Sequence, residues 1–175
     1  PISMHLPITA ILRQYDFNLI YTNELVRDLE ENQMTLIPAE GLVNHPAFTL
    51  GHLVSGSAMM AEDLGGTIEM PPGWADLFLR KGPGDPRMPD PDEKKYPLKR
   101  DLLMELEKQH DKVKNKLLEK TPEELNAQFA WRFGKLMPTL LDLTIFMCVN
   151  HEAMHLGQLA AWRRAVGLPS ALVRV

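Results

Sequence analysis

The sequence has a single cysteine, Cys148, among 175 residues. That excludes an internal disulfide framework and fits a reducing compartment. It has no excess of basic residues: the formal charge is −4 and no basic stripe appears, so the electrostatic footprint of nucleic-acid or anionic-membrane binding is missing. No apolar run approaches the ~20 residues needed to span a bilayer. No secretory n-region and h-region open the given sequence, and the expected location is cytoplasmic. Period-two alternation of β-branched residues is also absent, so no strands are expected. Neither internal repeats nor low-complexity tracts occur. What remains fits one domain over residues 1–175 with an ordinary core.

Glycine and proline are absent from long stretches and crowded into others. From Ile8 to Ile37 neither occurs, and Ile8, Ile11, Leu12, Tyr15, Leu19, Thr22, Val26 and Leu29 recur at helical spacing, which predicts one long helix ended by Pro38 and Gly41. Tyr15 falls on its apolar face, as a core aromatic or a pocket residue. Asn44-His45-Pro46 reads as the start of a second helix that passes Phe48, His52, Ser55 and Met59 and stops at Gly65-Gly66. Gly51 and Gly56 inside it each cost ~1 kcal/mol against alanine, which implies close approach of a neighbour. Residues 66–97 hold seven prolines and four glycines and cannot sustain a long helix, although Gly73 to Leu79 can form a turn or two. A loop of this length is expected to be a lid or binding loop, or an insertion packed down by Trp74 and Phe78.

Leu98 to Lys120 predicts a third helix, with His110 on the same face as Leu106 and Val113. A histidine there is a core residue or a pocket residue. Thr121-Pro122-Glu123-Glu124 is a capped, proline-first short turn. The last helix is expected from about Pro138 to Val166, with Leu140, Thr144, Met147, His151, His155, Gln158 and Trp162 on its inner face. Four long amphipathic helices read as an all-α four-helix bundle, with the Pro/Gly-rich insertion between helices 2 and 3.

The chemistry concentrates in His151-Glu152-Ala153-Met154-His155. Histidines four apart on a helix project from one face and can share a transition-metal ion. Taken literally the stretch is also the HExxH signature of zinc proteases. That reading needs a third ligand downstream, and after His155 the sequence contains no histidine, aspartate, glutamate or cysteine. The upstream candidate is His52, on the inner stripe of the second helix. Three imidazoles leave positions open for water or substrate, the layout of a catalytic site. The plain alternative is a chance pair exposed on a helix surface; its apolar stripe argues against it, because bare imidazoles in an apolar seam are costly. His45, at the start of the second helix, suits a rim or cap position. Glu152 is offset about 100° from His151, so it is expected to orient a histidine on another helix or to form a surface pair. Cys148 is expected to be a buried, inert thiol.

Asn44-His45-Pro46-Ala47-Phe48-Thr49-Leu50-Gly51-His52-Leu53, together with the stretch from His151 to Pro169, resembles the DinB/YfiT-like superfamily over nearly the whole chain. The resemblance implies an up-down-down-up four-helix bundle, a metal held by His52, His151 and His155, a supporting or packing role for Gln158, and a homodimer. The family includes thiol-dependent S-transferases that use bacillithiol or mycothiol, related isomerases and proposed metal-dependent hydrolases.

A zinc- or nickel-type ion on three imidazoles can acidify a bound water or thiol and so supply a nucleophile at neutral pH. The expectation is a metal-dependent enzyme, a thiol-dependent S-transferase or hydrolase acting on a small electrophile, with a low-molecular-weight thiol as cosubstrate. The opposing expectation is a non-catalytic bundle that binds metal or a small ligand.

Overall fold

Helices form where apolar residues recur at helical spacing, in α2 even across two glycines. A computed structural model of the chain describes residues 5–82 and 84–175, and among these the architecture is all-α. The elements are α1 (His5–Val26), α2 (Pro46–Asp63), the short α3 (Trp74–Phe78), α4 (Lys99–Leu118), the short α5 (Pro122–Asn126), α6 (Leu140–Ile145) and α7 (Glu152–Ala165). A π turn (Phe146–His151) joins α6 to α7. Among the described residues the only β feature is one antiparallel bridge between Gln128 and Thr139.

Two apolar clusters set the direction of the helices. In one, Ile11 and Tyr15 of α1 meet Leu140 and Leu143 of α6, Met60 and Leu64 at the end of α2, and Val113 and Leu117 at the end of α4. In the other, Leu25 and Val26 meet Leu156 and Leu159 of α7, Ala47 and Leu50 at the start of α2, and Leu102 and Leu106 at the start of α4. Thus α1 runs with α6 and α7, while α2 and α4 run against it. Fully buried leucines such as Leu50, Leu106 and Leu159 each contribute about 1.5–3 kcal/mol.

Two helices differ from the sequence-based expectation. The first ends at Val26 rather than near Ile37. Glu30 and Gln33 form a reciprocal capping box around a 3-10 turn (Glu31–Gln33), and Leu29 and Met34 are buried in the core. The local caps and the burial together outweigh continuation of the helix. The last helix begins after Thr139, whose side chain caps it in a box with Asp142, and it is interrupted by the π turn. Such a turn takes up one extra residue. The buried stripe is therefore Leu140, Thr144, Cys148, Glu152, Leu156, Leu159 and Arg163, one position later through its middle than expected. Met147, His151 and His155 lie at the edge of the core and face a cleft, while Gln158 is exposed and Trp162 is buried as expected.

Arg163 locks α7 to the end of α1. Only 1% exposed, it donates to the Leu25 carbonyl at 2.9 Å, to both oxygens of Asp28 at 2.5 and 3.0 Å, and to the Pro169 carbonyl at 2.8 and 3.1 Å. The guanidinium holds the Asp28 carboxyl down to about 2. Arg163→Ala is expected to lower the unfolding free energy by about 3 kcal/mol in urea titrations, since it strands buried acceptors.

Candidate metal centre

The site starts at the first turn of α2. His45 is its N-cap: Nδ1 accepts the Phe48 N–H at 3.1 Å and Nε2 donates to the Asp90 carbonyl at 2.8 Å. Its ring packs edge-on against Tyr96, whose hydroxyl accepts the Asp90 N–H at 2.8 Å. With both nitrogens used and the residue fully buried, His45 is a cap that straps the end of the 66–97 segment to α2. It is not on the cleft.

His52 lies two turns further along α2. Its Nδ1 is 3.3 Å from the Phe78 carbonyl. A carbonyl oxygen can only accept, so Nδ1 carries the proton and the Nε2 lone pair is free. Phe78 can sit there because residue 51 is glycine: a Cβ at Gly51 would stand 2.1–2.2 Å from the Phe78 ring atoms. Trp74 and Phe78 are buried in the main apolar cluster.

His151 and His155 come from the last helix, His151 as the final residue of the π turn and His155 one turn into α7. Gly56 makes room for the first of them; a Cβ there would meet His151 Cε1 at 3.1 Å. The Nδ1 of His155 donates to Gln158 Oε1 at 3.1 Å, and that oxygen also accepts from Asn44 Nδ2 at 3.4 Å. Ring centroids of His52, His151 and His155 are 5.3, 4.6 and 4.7 Å apart, and one nitrogen from each lies within 4.8 Å of the other two, a group that could hold a metal ion. The donor set fits a divalent ion. All three rings are half-buried, and two have the N–H tied to an oxygen so that the opposite nitrogen is presented as a lone pair. Ligation at ~2.0–2.1 Å needs only a modest closing of the three rings.

Burial pushes the three imidazoles toward the neutral form. His52 is lowered to about 4, by burial first and then by His155, against the opposing hydrogen bond to Phe78. His151 is lowered to about 3, by burial and its two neighbours. His155 is lowered by burial, opposed by Gln158.

The cluster opens into a cleft of about 760 Å³. One wall is the 66–97 segment, contributing Leu79, Arg80, Arg87 and Met88. Another wall is aromatic, built from Trp131, Phe133 and Phe146 with centroids 5.4–5.5 Å apart. Neither wall's residues figured in the sequence reading, except as part of the lid-or-insertion question. Trp131 and Phe133 sit in a segment with no helical periodicity, held by the bridge across Gln128 and Thr139 and by Trp131 Nε1 donating to the Met137 carbonyl at 2.6 Å. Only their aromatic character was visible.

Tyr15, His110 and Glu152 lie behind the cluster, not in the cleft. His110 Nε2 and Glu152 Oε2 are 2.8 Å apart with both residues buried. Tyr15 stacks flat on His110 at 3.6 Å and hydrogen-bonds Ser57 at 2.6 Å. Of the core and pocket options for Tyr15 and His110, both residues take the core one. Glu152 does orient a histidine on a neighbouring helix. Burial raises its pKa, with His110 opposing, and it is not among the residues lining the cleft, which removes the base that a protease would need. Cys148 is buried, and burial raises its thiol far above the usual range.

Two outcomes are expected. Gly56→Ala should keep or slightly raise thermal stability, since alanine favours the helix by ~1 kcal/mol. It should weaken metal affinity at least about tenfold by displacing His151, as read by chelator competition. Calorimetry of Zn or Ni uptake at pH 5.5 in buffers of different ionisation enthalpy should find fewer than one proton released. Three imidazoles at the ordinary value of ~6.5 would release about 2.7. By the same shifts the unfolded chain protonates these histidines below about pH 6.5, whereas folded His52 and His151 wait until about 4 and about 3. The metal-free protein therefore loses stability across that window as pH falls.

The sequence pattern of the DinB superfamily matches residues 14–159, a span that runs from within α1 to within α7 and contains all three histidines. No curated protein matches the chain. On the extent of that match, the chain belongs to the DinB superfamily.

Proposed function

We propose that this protein is a metal-dependent enzyme whose His52, His151 and His155 hold one divalent ion, zinc or nickel, and that it acts on a small electrophile as a thiol-dependent S-transferase or a hydrolase. The scaffold is an up-down-down-up four-helix bundle with the 66–97 segment as its insertion. The protein is cytoplasmic and, as in its family, a homodimer. One observation carries the reading: three imidazoles pushed toward the neutral form by burial meet on the lining of a cleft large enough for a small molecule. When bound, the ion supplies acidity for a water or thiol and so a nucleophile at neutral pH.

The chain's own residues do the rest. The Phe78 carbonyl and Gln158 hold the N–H sides of His52 and His155, which fixes where the free lone pairs point. Trp131, Phe133 and Phe146 give the substrate an apolar face and exclude water from it. Glu152 is committed to His110 and takes no proton from the reacting group.

The first test is metal analysis of the purified protein. About one equivalent of Zn or Ni is expected, lost in the His151→Ala/His155→Ala double variant; uptake no greater than that variant's would sink the proposal. With metal present, low-molecular-weight thiols are screened against a chlorodinitrobenzene-like electrophile. Turnover that needs both thiol and metal supports transfer, whereas metal-dependent turnover of activated esters without thiol supports hydrolysis.

A further inference from the structure

The cationic groups on the cleft wall differ in what they are paired with. Arg87 is neutralised: its guanidinium binds the Asp85 carboxylate at 2.7–3.2 Å and donates to the Asp76 and Leu79 carbonyls. Asp85 is saturated in turn by Arg87 and by the Lys81 N–H. Arg80 is different. Its guanidinium makes no hydrogen bond or ion pair among the described residues; it is half-buried, with its carbon 4.3 Å above the Phe48 ring centroid. Phe48 stacks in turn on His52, at 5.7 Å and 18°. The 4.3 Å and 5.7 Å separations together put the charge within roughly 10 Å of the His52 ring, and both residues line the same cleft.

The Arg80 guanidinium therefore has no acceptor among the described residues, and none of its nitrogens is sealed from solvent, so its donors are open to the cleft. Stacked on an aromatic face, it keeps its fork fixed in direction. That is the arrangement of a cation whose counter-charge arrives with the ligand. The ligand's anion should be a carboxylate rather than a dianionic phosphate. One planar fork matches one carboxylate; the Arg87–Asp85 pair is already neutral and offers no second cation, and Asp63 on the cleft lining opposes a higher negative charge. Asp63 stands about three turns along α2 from His52, too far along to pair with Arg80. Arg132, which also lines the cleft, is exposed and stacked on Phe133 at 4.8 Å.

We propose that Arg80 anchors a carboxylate of the substrate or cosubstrate, so that preferred ligands carry a reactive group at the three-histidine centre and a carboxylate a few bonds away. The inference rests on the metal-site reading above. It makes the 66–97 segment a recognition element, because that segment supplies both Arg80 and the carbonyl that holds His52.

Acid and amide pairs test it: 3-mercaptopropionate against 3-mercaptopropionamide, and butyrate against butyramide. Dissociation constants are measured by calorimetry on the protein as purified and after metal removal. Wild type should bind each acid at least about tenfold more tightly than its amide. Arg80→Gln should abolish that preference, Arg80→Lys should retain part of it, and Arg132→Gln should change it less than about twofold. Metal content should be the same in all four proteins. Equal affinity for acid and amide, no measurable binding of either by wild type, or a preference that survives Arg80→Gln (the carboxylate then going to the metal) would each overturn the assignment. Metal content reports separately on the histidine centre: an Arg80-dependent preference in a protein that takes up no metal sinks that centre and leaves the anion anchor standing.

Discussion

The candidate site depends on how closely α2 approaches the last helix at Gly56. A side chain there would meet the His151 ring at 3.1 Å, so the absence of a Cβ sets how near that imidazole can come to His52. Without this approach, the pair on the last helix would be two isolated imidazoles, costly to bury and unable to share a partner with α2. The π turn acts on the same contact from the other side. By taking up one residue just before α7, it turns His151 and His155 toward the cleft and turns Glu152 into the core. π turns of this kind occur often at functional sites because they redirect side chains without ending the helix.

The 66–97 segment is integral to the site and not an ornament on the bundle. Long loops add little closure entropy, but they must be tied down to have a shape. This one is tied at both ends of its contact with α2: Phe78 fills the notch at Gly51 and binds His52, while Asp90 and Tyr96 bind His45. The glycines of α2 thus serve two neighbours, Gly51 a loop aromatic and Gly56 a helix histidine. Each gives up about 1 kcal/mol of helix propensity: at Gly51 a Cβ would overlap the Phe78 ring, and at Gly56 it would push the His151 ring by a few tenths of an ångström.

Behind the histidines the core carries polar groups that satisfy one another only in part, His110 Nδ1 and Glu152 Oε1 having no hydrogen-bond partner among the described residues. Tyr15, His110, Glu152 and Ser57 link α1, α4, α7 and α2 in one buried chain of contacts, and Arg163 ties α7 to the end of α1. Breaking such a network leaves uncompensated groups in low dielectric. Glu152 follows His151 in the chain, so this network anchors the helix that carries the candidate ligands.

The helical class, the third helix with its buried face, the short capped turn at Thr121, the two halves of the HEAMH pair and the candidate partner His52 were all legible in the sequence. Period and spacing are local properties, and a resemblance to the DinB superfamily was carried by contiguous motifs. The end of α1, the π turn and the inward rotation of Glu152 were not legible, because each is a choice between nearly equal local options settled by packing against distant residues, whereas the core placement of Tyr15 and His110 was already among the options their apolar faces offered. The role of Arg80 was hidden for the same reason. Sequence shows an arginine in a Pro/Gly-rich stretch, whereas only the folded chain shows that Arg87 has taken the nearby carboxylate and left Arg80 alone over Phe48. The sequence by itself determined which residues could act as ligands. The tertiary structure decided which faces they point to and which charges stay unpaired, since orientation and pairing are set by contacts between segments far apart in the chain.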